Sequence, residues 1–169
     1  GEETAAQPTA TSQENNITRL LNEALRLSKA GIGSTPTVED LLDWYHTCGG
    51  RIEDAGWLSE YFDVFNAPEA IGGLSPIRIG PKTMAGQAVP DRAPESFNQL
   101  FARQPTDFQQ EATRTQLMAF DGCKLVDRRD VNVGTPDGGL RRFVYNRVSL
   151  PGTLRGRSVV VNATLPVVS

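Results

Sequence analysis

The sequence predicts an α+β domain in which N-terminal helices are followed by a curved antiparallel β-sheet, and three observations predict it. Apolar residues recur at helical spacing through the first two-thirds of the chain. Three strand-like runs then follow one another, over 125–133, 140–150 and 157–168. The turn between the first two, Gly134-Thr135-Pro136-Asp137-Gly138-Gly139, carries the Asp-Gly pair that supplies the positive φ angles of a hairpin. A chain of 169 residues accommodates one domain and a tail. The expected divisions are a disordered tail over 1–14, an amphipathic helix over 15–33 and a single α+β domain over 34–169.

Residues 1–14 contain no large apolar side chain, so burial cannot offset the entropy of ordering them. Asn15 or Asn16 then caps a helix whose stripe is Ile17, Leu20, Leu21, Ala24 and Leu25, and Gly31 and Gly33 stop it. A helix of this length is marginal alone in water. Its stripe is expected to form a homodimer, with packing onto its own sheet as the alternative.

A second helix starts at Thr37, where Thr37-x-x-Asp40 resembles a capping box, and ends at Gly49-Gly50. A third is expected over 54–65, with Trp57, Leu58, Tyr61, Phe62 and Phe65 on one side as core. The chain then turns rich in Gly and Pro, with Ile77-Arg78-Ile79 as a candidate strand. Pro94 at the first helical position opens a short helix bearing Phe97, Leu100 and Phe101; Pro105 breaks it, and a further helix follows over 108–119. The second and third strands are expected to join around Pro151-Gly152 and Arg155-Gly156.

Alternation along 140–150 places Leu140, Arg142, Val144, Asn146, Val148 and Leu150 on one face. Arg141, Phe143, Tyr145, Arg147 and Ser149 occupy the other. Both faces mix large apolar groups with polar ones, so either both are partly covered or one lines a cavity. The expected walls of such a pocket are Phe97, Phe101, Met118, Phe120, Val131, Phe143 and Tyr145, with Arg129 or Arg142 as polar anchors. The competing expectation is a solid aromatic core.

The formal charge is −3, yet seven arginines and only two acids lie from Arg128 onward. Without a lysine cluster or an aromatic-interleaved basic stripe, these read as solvated strand positions that deter edge pairing rather than as a nucleic-acid surface. No run approaches the ~20 apolar residues of a membrane span. A cytoplasmic protein is expected, with an exported form lacking its leader as the alternative. Cys48 and Cys123 are read as two buried thiols, or as one long-range disulfide in an exported chain.

Recognisable catalytic chemistry is scarce. His46 is the single histidine and has no nucleophile-elbow pattern beside it, so its expected role is structural. One histidine and two distant cysteines assemble no zinc or iron site, and neither a phosphate loop nor a dinucleotide fingerprint is present. No catalytic residue, metal or cofactor is therefore expected. An enzyme would need His46 with Asp43 or Asp127.

From Asp107 to Val168 the order of residues resembles the C-terminal half of a PAS domain. The matching pieces are Asp107-Phe108-Gln109-Gln110-Glu111, Leu125-Val126-Asp127-Arg128-Arg129-Asp130-Val131, Asp137-Gly138-Gly139-Leu140-Arg141-Arg142-Phe143-Val144 and Ser158-Val159-Val160-Val161-Asn162-Ala163-Thr164-Leu165. Asp40-Leu41-Leu42-Asp43-Trp44-Tyr45 resembles the helix that opens some bacterial single-domain PAS proteins. PAS domains normally begin with a β-hairpin, for which only Ile77-Arg78-Ile79 is a candidate. The resemblance implies a non-enzymatic sensory or signalling domain, without a recognisable cofactor, that binds a small apolar or anionic ligand or a partner protein. The alternative is the cone fold of the nuclear-transport-factor and SnoaL-like group, which includes small-molecule binders and enzymes such as dehydratases and isomerases.

Overall fold

A computed structural model describes residues 35–68 and 74–167. The described residues from Pro36 onward form one compact unit. Helix α1 (Val38–Cys48) begins at a capping box in which Thr37 Oγ1 accepts from Asp40 N–H while Asp40 accepts from Thr37 N–H. It ends on Gly49 at φ +63°. Two 3-10 segments follow, Ile52–Asp54 and Gly56–Tyr61, and then strand β1 (Asp63–Phe65).

The helix expected over 54–65 is therefore replaced by 3-10 turns and a strand. Trp57, Leu58, Tyr61, Phe62 and Phe65 imitate helical spacing, but Gly56 sits at φ +59° and Phe62 is already extended. Val64 and Phe65 are both fully buried, on opposite faces of a strand that is covered on each side. Strand β2 (Pro76–Arg78) pairs with β1, so Ile77 and Arg78 are in a strand while Ile79 lies just beyond it.

Three helices come next: α2 (Met84–Ala88), α3 (Pro94–Ala102) and α4 (Thr106–Phe120). Pro94 occupies the first turn of α3, and Pro105 precedes α4. The chain closes with β3 (Leu125–Gly134), β4 (Leu140–Leu154) and β5 (Arg157–Pro166). All pairings are antiparallel and the strand order is β2-β1-β5-β4-β3.

The β3–β4 turn is tied by Thr135 N–H to the Gly139 carbonyl at 2.8 Å and by Gly139 N–H to Asp137 Oδ1 at 3.1 Å, with Gly138 at φ +92°. Strand β4 does not stop at Leu150. It runs through Pro151-Gly152 to Leu154 and turns on Arg155 and Gly156 alone, both at positive φ. Beyond Ser149, β4 has no β3 residue beside it, so that side is an edge, where proline is tolerated. The chain at Gly50 packs there instead, taking a hydrogen bond from Thr153 N–H at 3.0 Å. A Cβ on Gly152 would meet the Gly50 carbonyl at 2.9 Å.

Both sheet faces are covered, which accounts for the mixed alternation of β4. One face carries Val64, Val148, Leu150, Val159, Val161 and Leu165, packed with Leu41 and Trp44 of α1 and with Ile52, Leu58, Tyr61 and Phe62. Burial of each such side chain contributes about 1.5–3 kcal/mol. The opposite face carries Phe65 and Val160 against Phe97 of α3 and Ala119 of α4. The stripe Ile17, Leu20, Leu21, Ala24 and Leu25 lies outside the described residues. Among the described residues, no helix is long and apolar enough to cross a membrane.

Candidate ligand cavity

Between the second sheet face and helices α2, α3 and α4 lies a cavity of about 100 Å3. A water needs about 10–15 Å3 on this measure, so the space admits several waters or a molecule of about half a dozen heavy atoms. Its apolar wall is Phe65, Leu74, Met84, Ala85, Phe97, Phe101, Phe108 and Ala112. The Phe97 ring stacks on Phe101 at 5.8 Å and lies 5.6 Å from Phe65. Polar groups converge from α4 and four strands: Asp63 (β1), Glu111, Thr115 and Gln116 (α4), Arg129 (β3), Tyr145 and Arg147 (β4), and Asn162 and Thr164 (β5).

The sheet register places these groups. Asp63 stands opposite Asn162, Asn162 opposite Ser149, Thr164 opposite Arg147, Arg147 opposite Asp127, and Tyr145 opposite Arg129. Cross-strand partners share a face, so all of them project toward the helices. On α4 the inward side is Phe108, Glu111, Ala112, Thr115, Gln116 and Ala119, a stripe at helical spacing made largely of small and polar residues.

Two polar clusters result. In the first, Arg147 grips Asp127 with two bonds, Nε to Oδ1 at 2.9 Å and Nη2 to Oδ2 at 2.7 Å, and donates to Glu111 Oε2 at 3.1 Å. Arg114 also clasps Glu111. These bonds, those of Arg114 foremost, hold the Glu111 carboxyl down at about 2 although burial opposes them. Arg129 approaches Glu111 only to 3.9 Å. Burial raises the Tyr145 phenol above its ordinary value.

The second cluster is centred on Asp63, which is 3% exposed. Gly80 N–H and the Thr83 hydroxyl donate to its Oδ1 at 3.1 and 2.8 Å; Oδ2 has no hydrogen-bond partner among the described residues. Burial pushes this carboxyl up to about 7, against the opposing pull of those two bonds. The Ser149 hydroxyl donates to Asn162 Oδ1 at 2.6 Å, and Gln116 Oε1 is buried with no partner among the described residues.

Of the residues expected at a pocket, Phe97, Phe101, Arg129 and Tyr145 line this cavity. Met118 and Phe120 do not. They lie off the inward stripe of α4, where Arg114 covers the Met118 sulfur and Phe120 is 38% exposed. Val131 and Phe143 share the correct sheet face but sit farther toward the hairpin tip, where Arg141 stacks over Phe143. Arg142 points to the other face and pairs with Asp130 at 2.6 Å.

His46 is exposed on α1 and outside the cavity, whereas Asp127 is held by Arg147; the structure does not assemble them with Asp43 into a site. Neither cysteine is in a disulfide, and Cys123 is exposed rather than buried. Among the described residues no group of three or more His, Cys, Asp or Glu side chains is placed to hold a metal.

These features define an α+β domain with a small, mainly apolar cavity between helices and an open antiparallel sheet. Compared with family models, curated proteins and solved structures, the chain matches none.

Proposed function

We propose that residues 36–167 are a PAS-like sensory domain whose signal is a small molecule held in the cavity. The carrying observation is the cavity itself: an apolar wall of Phe65, Phe97, Phe101 and Phe108, with a few polar groups converging on it, the unpartnered Gln116 Oε1 among them. The order of elements supports the PAS-like reading. A β1–β2 hairpin, for which the sequence offered only Ile77-Arg78-Ile79, precedes α2, α3 and α4, and a meander of three strands follows them.

The stripe Ile17, Leu20, Leu21, Ala24 and Leu25 belongs to the same proposal as its homodimer surface. A second reading, a cone-fold enzyme, is favoured by one observation: Asp63 is a cavity carboxyl poised near neutrality, as a general base requires.

Thermal unfolding against a library of small molecules tests the sensory reading. A ligand at one hundred times its Kd adds about 2.7 kcal/mol of stability. The same compound is expected to fail with Ala112→Phe, which fills the cavity. Chemical conversion of the stabilising compound would favour the enzyme instead.

A further inference from the structure

We infer that the cavity is built for a small apolar amine, its ammonium held by Asp63 and Gln116 and its hydrocarbon body by the phenylalanine wall. This names the ligand class of the sensory site and rests on that reading. The argument starts from which hydrogen-bonding capacity the protein leaves unused. Both donors that reach Asp63 bond to Oδ1, so Oδ2 has none. Gln116 is 3% exposed, and its Oε1 has no donor among the described residues. Among the described residues Gln116 Oε1 is thus a buried oxygen without a donor, and Asp63 Oδ2, on a second residue lining the same cavity, accepts no hydrogen bond either; buried polar groups are ordinarily satisfied.

The charged donors of the cavity do not supply them. Arg147 is spent on Asp127 and Glu111, and Arg129 faces Glu111 and Tyr145. A ligand meeting both oxygens must bring at least two donors, and a positive charge would pair with the Asp63 carboxylate. A primary ammonium has three donors on one atom. An alcohol brings one, and a carboxylate would set a second anion beside Asp63. The volume limits the remainder to a short branched or cyclic hydrocarbon.

Three probes of one shape separate the chemistries: isopentylamine, isopentanol and isovalerate, titrated calorimetrically into the full chain at pH 7.5. The amine is expected to bind at least tenfold more tightly than either of the others. That preference should vanish in Asp63→Asn, which keeps the shape and the Oδ1 acceptor, and the amine should weaken at least tenfold in Gln116→Leu. Isovalerate binding as tightly as the amine, or tighter, overturns the amine and transfers the polar end to Arg129, leaving the sensory cavity intact. Equal binding of amine and alcohol overturns it too. If none of the three binds and the library finds no stabiliser either, the sensory reading falls with it. Should either variant fail to fold, the ranking on the unaltered protein decides.

Discussion

The Thr83 hydroxyl donates to Asp63 Oδ1 at 2.8 Å while accepting from Gly86 N–H at 2.9 Å, so one side chain both seats the cavity carboxyl and caps α2. The same hydroxyl lies 3.0 Å from the Gly80 carbonyl. Its single hydrogen serves one acceptor at a time. When Asp63 takes up a proton, the hydroxyl is free to turn to Gly80, so the loop over 80–86 accommodates both states of the carboxyl.

Stability is expected to fall as pH rises across the range in which Asp63 differs between folded and unfolded chains. Unfolded, it ionises near 3.8; folded, burial holds it to about 7. Between these values the folded state keeps a proton that the unfolded state has lost, so stability declines from about pH 4 to about pH 7 and levels off above. The size is at most about 4 kcal/mol. Glu111 acts in the opposite sense at lower pH, adding stability as pH rises from about 2 toward 4.5. Urea unfolding at pH 4 to 8 measures the decline, and Asp63→Asn should remove it. A decline of the same size in that variant would assign it elsewhere.

Gly86→Ala should destabilise by at least about 3 kcal/mol, at the severe end of overpacking. A Cβ there would lie 1.9 Å from the Gly80 carbonyl oxygen, backbone that is itself fixed on Asp63. Exposed Gln87, on the next position of α2, should tolerate alanine within about 0.5 kcal/mol. Equal denaturation midpoints for the two variants would contradict this packing.

Removing the Arg147 guanidinium leaves Asp127 and Glu111 facing each other without their shared cation. Arg147→Met is expected to cost about 2 kcal/mol, below the 3–5 of a fully buried pair because Asp127 is 43% exposed. Adding Asp127→Asn and Glu111→Gln should recover part of the loss. A triple variant less stable than Arg147→Met alone would mean that the network does not act as a charge cluster.

The meander, the capping box at Thr37 and the proline start of α3 were legible because each is written in neighbouring residues. Strand β1 was not, since Phe62 and Phe65 fit a helical stripe that breaks only in the backbone, at the positive φ of Gly56 and the extended Phe62. The cavity was legible through its aromatic wall and through the face that Tyr145 shares with Arg147. Its chemistry was not. The inward side of α4 is Ala112, Thr115, Gln116 and Ala119, and hydrophobicity points away from it to Met118 and Phe120. Asp63 depends on Gly80 and Thr83, 17 and 20 positions away, a loop closure that no local pattern announces.

Deleting residues 1–30 should convert a homodimer to a monomer by light scattering, if the stripe from Ile17 to Leu25 joins two copies. A full-length chain already monomeric at high micromolar concentration contradicts the dimer. It leaves packing onto the chain's own domain.

The most direct test of the sensory cavity is native mass spectrometry of the freshly purified protein beside its denatured mass. A retained molecule of about half a dozen heavy atoms is predicted, matching the space between Phe97, Phe101 and Gln116. It should be present in the unaltered chain and lost in Ala112→Phe. A native mass equal to the bare polypeptide, with no small molecule restoring an adduct on incubation, would contradict the account.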